Sequence, residues 1–178
     1  GARVYPNKVR EIGWFPLAVA PEAGDTVFRD VFPPGLEVFH WHGDTFDIPE
    51  SAIRIASSPA CANQGFVIDD RIAGFQFHLE TTSESAQALI DNCGHELDGS
   101  AFVQTAKELT AHEKRFDRIN KVMAEHLRIQ SVALGRPMPT SFPVYSAAPP
   151  PTPVEPEISL PTQTGLLEEP AASESPAQ

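Results

Sequence analysis

The first 80 residues alternate short apolar runs with turn-forming residues, a pattern that indicates β-strands. Gly13 and Pro16 limit the second run to an edge or hairpin position. The last two runs are expected to pair across the Asp69-Asp70 turn. Residues 25–31 instead predict one or two capped helical turns. The predicted strands are residues 3–5, 11–20, 36–42, 52–57, 65–69 and 71–78.

After Glu80 the apolar positions recur at helical spacing. A first helix is predicted to run to about Cys93, with Ser83 as its N-cap and Gly94 as its terminator. A longer helical region is predicted over residues 101–132, where apolar residues form one stripe suited to a core contact. That stripe consists of Phe102, Ala106, Leu109, Phe116, Ile119, Met123 and Leu127.

The composition changes near Arg136. Residues 137–178 hold 11 of the 18 prolines and five glutamates, with no lysine or arginine. Such a segment cannot bury enough apolar surface to offset its ordering entropy, so a disordered tail is predicted. The expected organisation is a domain over 1–95, a helical extension over 96–136 and the tail.

The net charge of −11 disfavours nucleic acid and anionic membranes as partners, because an acidic surface repels phosphate groups. Apolar stretches fall well short of the roughly 20 residues of a membrane helix. Two cysteines, Cys61 and Cys93, make no disulfide framework and suit a reducing cytoplasm, which is the predicted location.

His78 and Glu80 are the strongest candidates for chemistry. Residues two apart on a strand share a face, so the carboxylate can orient the imidazole. An imidazole held in this way is a competent general base for activating a thiol.

The surrounding sequence, a G-x-Q-F-H-x-E run ending at Glu80, resembles the signature that ends the catalytic sheet of class I glutamine amidotransferases. Leu79 stands where the family usually has proline. Residues 11–14 (EIGW) and 39–46 (FHWHGDTF) are similar to segments of the GMP synthase glutaminase branch, the second being a loop beside the active site. The resemblance covers about residues 1–95 and marks four candidate substrate-loop residues, His40, Trp41, His42 and Asp44.

The resemblance implies an α/β, flavodoxin-like domain with a mostly parallel sheet. It also implies a Cys-His-Glu triad, with His78 and Glu80, that hydrolyses the glutamine side-chain amide to glutamate and ammonia without a cofactor. A separate synthetase would accept the ammonia.

The family's nucleophile lies in a G-x-C-x-G turn, and neither Cys61 nor Cys93 has that setting. The sequence therefore predicts a C-terminal part of the domain, with the cysteine outside this chain. Alone, the chain is expected to be inactive and marginally stable, with leucine, valine and phenylalanine side chains of its strands uncovered.

Three alternatives remain open. The same triad could cleave a γ-glutamyl peptide, or the domain could be a non-catalytic binding or regulatory module. The third is a metal-dependent hydrolase, because His40, His42 and Asp44 alternate along one predicted strand and are all possible zinc ligands.

Overall fold

A computed structural model describes residues 1–135 of the protein, so the predicted tail lies outside the described residues. No helix within residues 1–135 is long and apolar enough to cross a membrane. Two short 3₁₀ segments, Pro21–Asp25 and Gly94–Glu96, accompany the main elements. The strands are β1 (Val4–Pro16), β2 (Ala18–Val19), β3 (Glu37–Phe46), β4 (Ile53–Ser57), β5 (Gly65–Ile68) and β6 (Ile72–Phe75), and the helices are α1 (Ser83–Cys93), α2 (Ala106–Thr110) and α3 (Lys114–Ala133).

The strands form two sheets. β1 pairs with β3, and the other four strands follow the order β2-β4-β5-β6. Every ladder between named strands of the described chain is antiparallel, whereas the resemblance implied a mostly parallel sheet. The connection from β5 to β6 is a tight turn, which permits only antiparallel pairing.

The β5–β6 hairpin confirms the predicted turn at Asp69 and Asp70. Both residues have positive φ, 51° and 52°, a conformation that aspartate tolerates better than most residues. Asp70 also accepts the backbone N–H of Val27 at 3.1 Å. That bond ties the hairpin to residues 25–31, which form turns rather than the predicted helix.

The helices differ from the prediction in two places. Thr82, not Ser83, caps α1, because its hydroxyl accepts the N–H of Ser85 while the Ser85 hydroxyl accepts the N–H of Thr82. The region 101–132 is not one helix but two, α2 and α3, and α2 begins with its own capping box at Thr105 and Glu108.

One hydrophobic core joins the strands and the helices. Trp14 of β1 packs edge-on against Phe116 of α3, with ring centroids 4.9 Å apart. Its indole N–H donates to the backbone oxygen of Leu109 at 2.9 Å. The division between residues 1–95 and 96–136 stays a prediction, but the second segment contributes directly to the core of the first.

The expected exposure of strand side chains is largely wrong. Leu36, Val38 and Phe39 are fully buried, and no leucine or phenylalanine within residues 1–135 is exposed. The helices cover these side chains, as the packing of α3 on β3 shows. Val4 and Ile72 are the clearest exceptions among the strands, at 72% and 58% exposure.

Candidate active site

His78 and Glu80 lie just beyond the end of β6. The backbone N–H of His78 donates to the oxygen of Phe39 at 2.8 Å, which anchors the segment to β3. Phe77 and Leu79 are buried on either side of His78, so the alternation of a strand turns His78 and Glu80 outward together. Nδ1 of His78 donates to Oε1 of Glu80 at 2.7 Å.

The charge of Glu80 is stabilised where it stands. Burial raises its pKa, but the hydrogen bond from His78 and the N–H of Leu79, 3.0 Å from Oε2, lower that pKa more. The carboxylate is therefore ionised near neutral pH and fixes the His78 proton on Nδ1. Nε2 is then free to take a proton from another group. The side chains are 36% and 59% exposed, so a reactant can reach them.

Helix α3 supports the carboxylate segment from behind. The side-chain amide of Asn120 donates to the backbone oxygens of Leu79, at 2.8 Å, and Thr81, at 3.0 Å. These two residues flank Glu80 in the chain. The position of Glu80 therefore depends on a contact with the predicted helical extension.

The four predicted substrate-loop residues lie on β3 but do not face one site. His40 and His42 are buried. Trp41 is half-buried and donates its indole N–H to Glu96 at 3.2 Å. Asp44 is exposed, and its backbone oxygen rather than its carboxylate contacts His42, at 3.0 Å. Among the described residues, the acid of the predicted metal-ligand set, Asp44, does not join His40 and His42 in a possible metal-binding group.

Glu11 takes the place predicted for that acid. Its side chain is fully buried, with Oε2 lying 2.6 Å from Nε2 of Gln64, 3.0 Å from Oγ of Ser58, 3.1 Å from Nε2 of His42 and 3.6 Å from Nδ1 of His40. Burial raises the pKa of Glu11, but the hydrogen bond with His42 and the proximity of His40 lower that pKa more.

Sequence reasoning missed Glu11 as a site residue. The available signal was a charged residue at the head of an apolar run that includes Ile12 and Trp14. Burial also acts on His40, where it outweighs the attraction of Glu11 and lowers the imidazole pKa to about 4. His40 is therefore neutral near pH 7.

The two cysteines lie in settings unlike a nucleophile elbow. Cys61 is buried, with its Sγ 3.2 Å from the hydroxyl of Thr45 and 3.6 Å from the oxygen of Asn63. Cys93 is the last residue of α1 rather than part of a turn between a strand and a helix. Neither cysteine hydrogen-bonds His78 in the part of the chain that the structure describes.

No protein-family model matches the chain. Among curated proteins, the glutamine amidotransferase-like protein YfeJ of Salmonella typhimurium is 30% identical over 114 residues, which are 62% of this chain and 48% of that relative. A glutamine amidotransferase structure from Methylobacillus flagellatus superposes with a TM-score of 0.65 at 31% identity, covering 80% of this chain and 60% of that one. A second, from Thermotoga maritima, has a TM-score of 0.61 at 32% identity, covering 73% and 55%.

The chain spans about half the length of the curated relative that it matches. The match over 80% of the chain extends beyond residues 1–95, to which the sequence resemblance was confined. Placement in the GMP synthase branch stays a prediction. In sequence and in its mixed α/β fold, this chain is similar to class I glutamine amidotransferases.

Proposed function

We propose that this chain supplies the histidine and the carboxylate of a Cys-His-Glu triad that hydrolyses the side-chain amide of glutamine. The observation that carries the proposal is the hydrogen bond of 2.7 Å between His78 and Glu80 on an accessible surface. The buried Phe77 and Leu79 hold the pair rigidly, which general base catalysis requires.

In the proposed reaction, Nε2 of His78 takes the proton of a cysteine thiol, and Glu80 stabilises the imidazolium that forms. The thiolate attacks the amide carbon of glutamine. The imidazolium then protonates the leaving nitrogen, which departs as ammonia and leaves a thioester. His78 next deprotonates a water molecule that attacks the thioester, and glutamate leaves with the thiol restored.

The nucleophile in this proposal comes from outside the 178 residues. Cys61 is buried beside Thr45, and Cys93 ends a helix, so neither presents a thiol to Nε2 of His78. Of the predicted loop residues, Trp41 and Asp44 have exposed surface with which to contact a substrate. His40 and His42 act from the interior and do not touch the substrate.

The test compares glutaminase activity of the 178-residue chain with that of the complete gene product. We expect no glutamine hydrolysis by the chain alone. In the complete product, His78→Asn is expected to lower kcat by about 10²–10⁴-fold, the usual contribution of a general base, and Glu80→Gln by less. Glu84→Gln is the matched control, because Glu84 is an exposed acid four residues further on whose side-chain hydrogen bonds involve Thr82 and Ser83.

Full activity of the His78→Asn variant would overturn the proposal, as would hydrolysis by the chain alone. A γ-glutamyl peptide assayed in parallel separates the two amide substrates that the same triad could cleave. Inactivity of the complete product toward both would favour a non-catalytic module. The acceptor of the ammonia is proposed to be a separate synthetase.

A further inference from the structure

We infer that Glu11, His40 and His42 form a buried structural site for a divalent transition metal, with zinc the best match to the donor set. The three residues come from β1 and β3, and their ligand atoms all lie within 4.8 Å of one another. This site is separate from the His78 and Glu80 pair, and it does not depend on the proposed function.

The first argument is the protonation of His42. A backbone oxygen can only accept, so Nδ1 of His42 carries a proton and donates it to Asp44 at 3.0 Å. In a neutral imidazole, Nε2 then has a lone pair, which faces Oε2 of Glu11 at 3.1 Å. Two lone pairs at this distance repel, although the side-chain nitrogen of Gln64 also lies 3.4 Å from Nε2 of His42, and a metal ion between His42 and Glu11 would remove that repulsion.

The bond to Asp44 favours the metal. A histidine that binds a metal through one ring nitrogen almost always donates its other N–H to a carboxylate, a backbone oxygen or water. His42 shows that arrangement, with Nε2 directed at the buried acid.

The second argument is the number of buried polar atoms without partners. Both ring nitrogens of His40, Oε1 of Glu11 and Oε1 of Gln64 make no hydrogen bond. Leaving such atoms unpaired in the interior costs about 1–3 kcal/mol each. All four belong to Glu11 or to side chains that approach its Oε2 within 3.6 Å, so one metal ion could satisfy several at once.

The spacing of the donors suits zinc. Bonds of about 2.0–2.1 Å in a tetrahedron place neighbouring ligand atoms about 3.3 Å apart. The corresponding distances from Oε2 of Glu11 are 3.1 Å to His42 and 3.6 Å to His40.

The complete 178-residue chain is unfolded, stripped with a chelator and refolded with Zn²⁺ or Co²⁺, because a buried site closes on folding. We expect about one equivalent of metal per chain after dialysis, and Co²⁺ absorption bands of a tetrahedral site with nitrogen and oxygen ligands. Glu11→Gln and His42→Asn should each lower the uptake at least about tenfold.

Two control variants distinguish the buried site from zinc bound at the surface. Ser58→Ala removes a hydrogen bond to Glu11 but no ligand, so it should keep the metal. His78→Asn removes the histidine of the exposed His78 and Glu80 pair, which could bind zinc weakly at the surface. This variant should also keep the metal. Loss of uptake in His78→Asn with normal uptake in Glu11→Gln would overturn the inference.

The wild-type chain decides the question even if the Glu11 and His42 variants do not fold. A bound metal raises the unfolding midpoint according to its concentration and affinity, so chelator treatment before refolding should lower the midpoint and Zn²⁺ should restore it. A midpoint that responds to neither, together with no retained metal, would refute the metal site.

Discussion

Nδ1 of His78 lies 2.7 Å from Oε1 of Glu80, and Leu79 between them is buried. The pair is therefore fixed by its backbone as well as by its hydrogen bond. The N–H of Leu79 donates to the second oxygen of Glu80, which closes a compact loop of three residues. Such a carboxylate cannot turn away from the imidazole without losing two bonds.

Removing the imidazole should raise the pKa of Glu80. The hydrogen bond from His78 lowers this pKa, and burial opposes it. In His78→Asn the pKa is expected to rise, because burial still raises it and only backbone N–H groups, including that of Leu79, still lower it. Carboxyl carbon NMR titration of the 178-residue chain measures this shift in pKa. Glu84 serves as the internal control, since its backbone hydrogen bonds do not involve His78. An unchanged Glu80 pKa would contradict the assigned bond.

Thr82 should matter to stability more than Ser83. Its hydroxyl accepts the N–H of Ser85 and completes the capping box of α1. Thr82→Ala is expected to lower the free energy of unfolding by about 1 kcal/mol, the usual cost of a lost N-cap. Ser83→Ala should have little effect, because Ser83 is inside the helix. Urea unfolding of both variants provides the measurement, and a larger loss for Ser83→Ala would show that the cap is misassigned.

Trp14 should contribute strongly to the stability of the packing between the strands and the helices. Trp14→Phe removes the indole N–H and leaves the backbone oxygen of Leu109 unpaired in the interior. We expect a loss of about 2 kcal/mol in unfolding free energy. Trp41→Phe is the matched control, because its bond to Glu96 is only partly buried and should cost less than about 1 kcal/mol. Equal losses would argue against a special role for the interior contact.

His126 should make the protein less stable in mild acid. It is buried between Phe28 and Phe75 with Nδ1 unpaired, and burial lowers its pKa to about 4 from the ordinary 6.5. The unfolded chain therefore binds the proton more readily. The stability that neutral His126 contributes is complete above pH 6.5 and is lost as the pH falls from 6.5 to 4.

The loss should approach about 3 kcal/mol over that range, since each pKa unit corresponds to about 1.4 kcal/mol. His126→Leu should weaken the pH dependence of the unfolding free energy between pH 4 and 6.5, and the remaining dependence is expected from His40, whose pKa burial also lowers to about 4. His112→Asn, a change at an exposed histidine of the same region, should leave the dependence unchanged. If the unfolding free energy of His126→Leu depends on pH in the same way as that of the wild type, His126 is not a source of the pH dependence.

The strands of the fold were predictable because their signals are local. Alternation and turn residues indicated β3 to β6, and the Asp69-Asp70 turn indicated the pairing of the last two. The pairing of His78 with Glu80 was predictable for the same reason, because the two residues are only two positions apart. The predicted N-cap was one residue too late, since Thr82 and Ser83 are both good caps and only the geometry distinguishes them.

Interactions between distant residues could not be predicted in this way. A charged residue such as Glu11 is normally outside, and it is inside here because Ser58 and Gln64 donate to it from 47 and 53 residues away. A histidine on a helix, such as His126, is normally solvated. Its burial depends on Phe28 and Phe75, which lie on the strand side of the core.

The two hydrogen bonds from Asn120 make α3 and the carboxylate segment one cooperative unit. Local opening of the helix and loss of Glu80 from its place are then the same event, and both should share one rate of amide hydrogen exchange. A protein that bound α3 and loosened it would release the carboxylate without touching the histidine. Control of the His78 and Glu80 pair can therefore be exerted through α3, by way of Asn120.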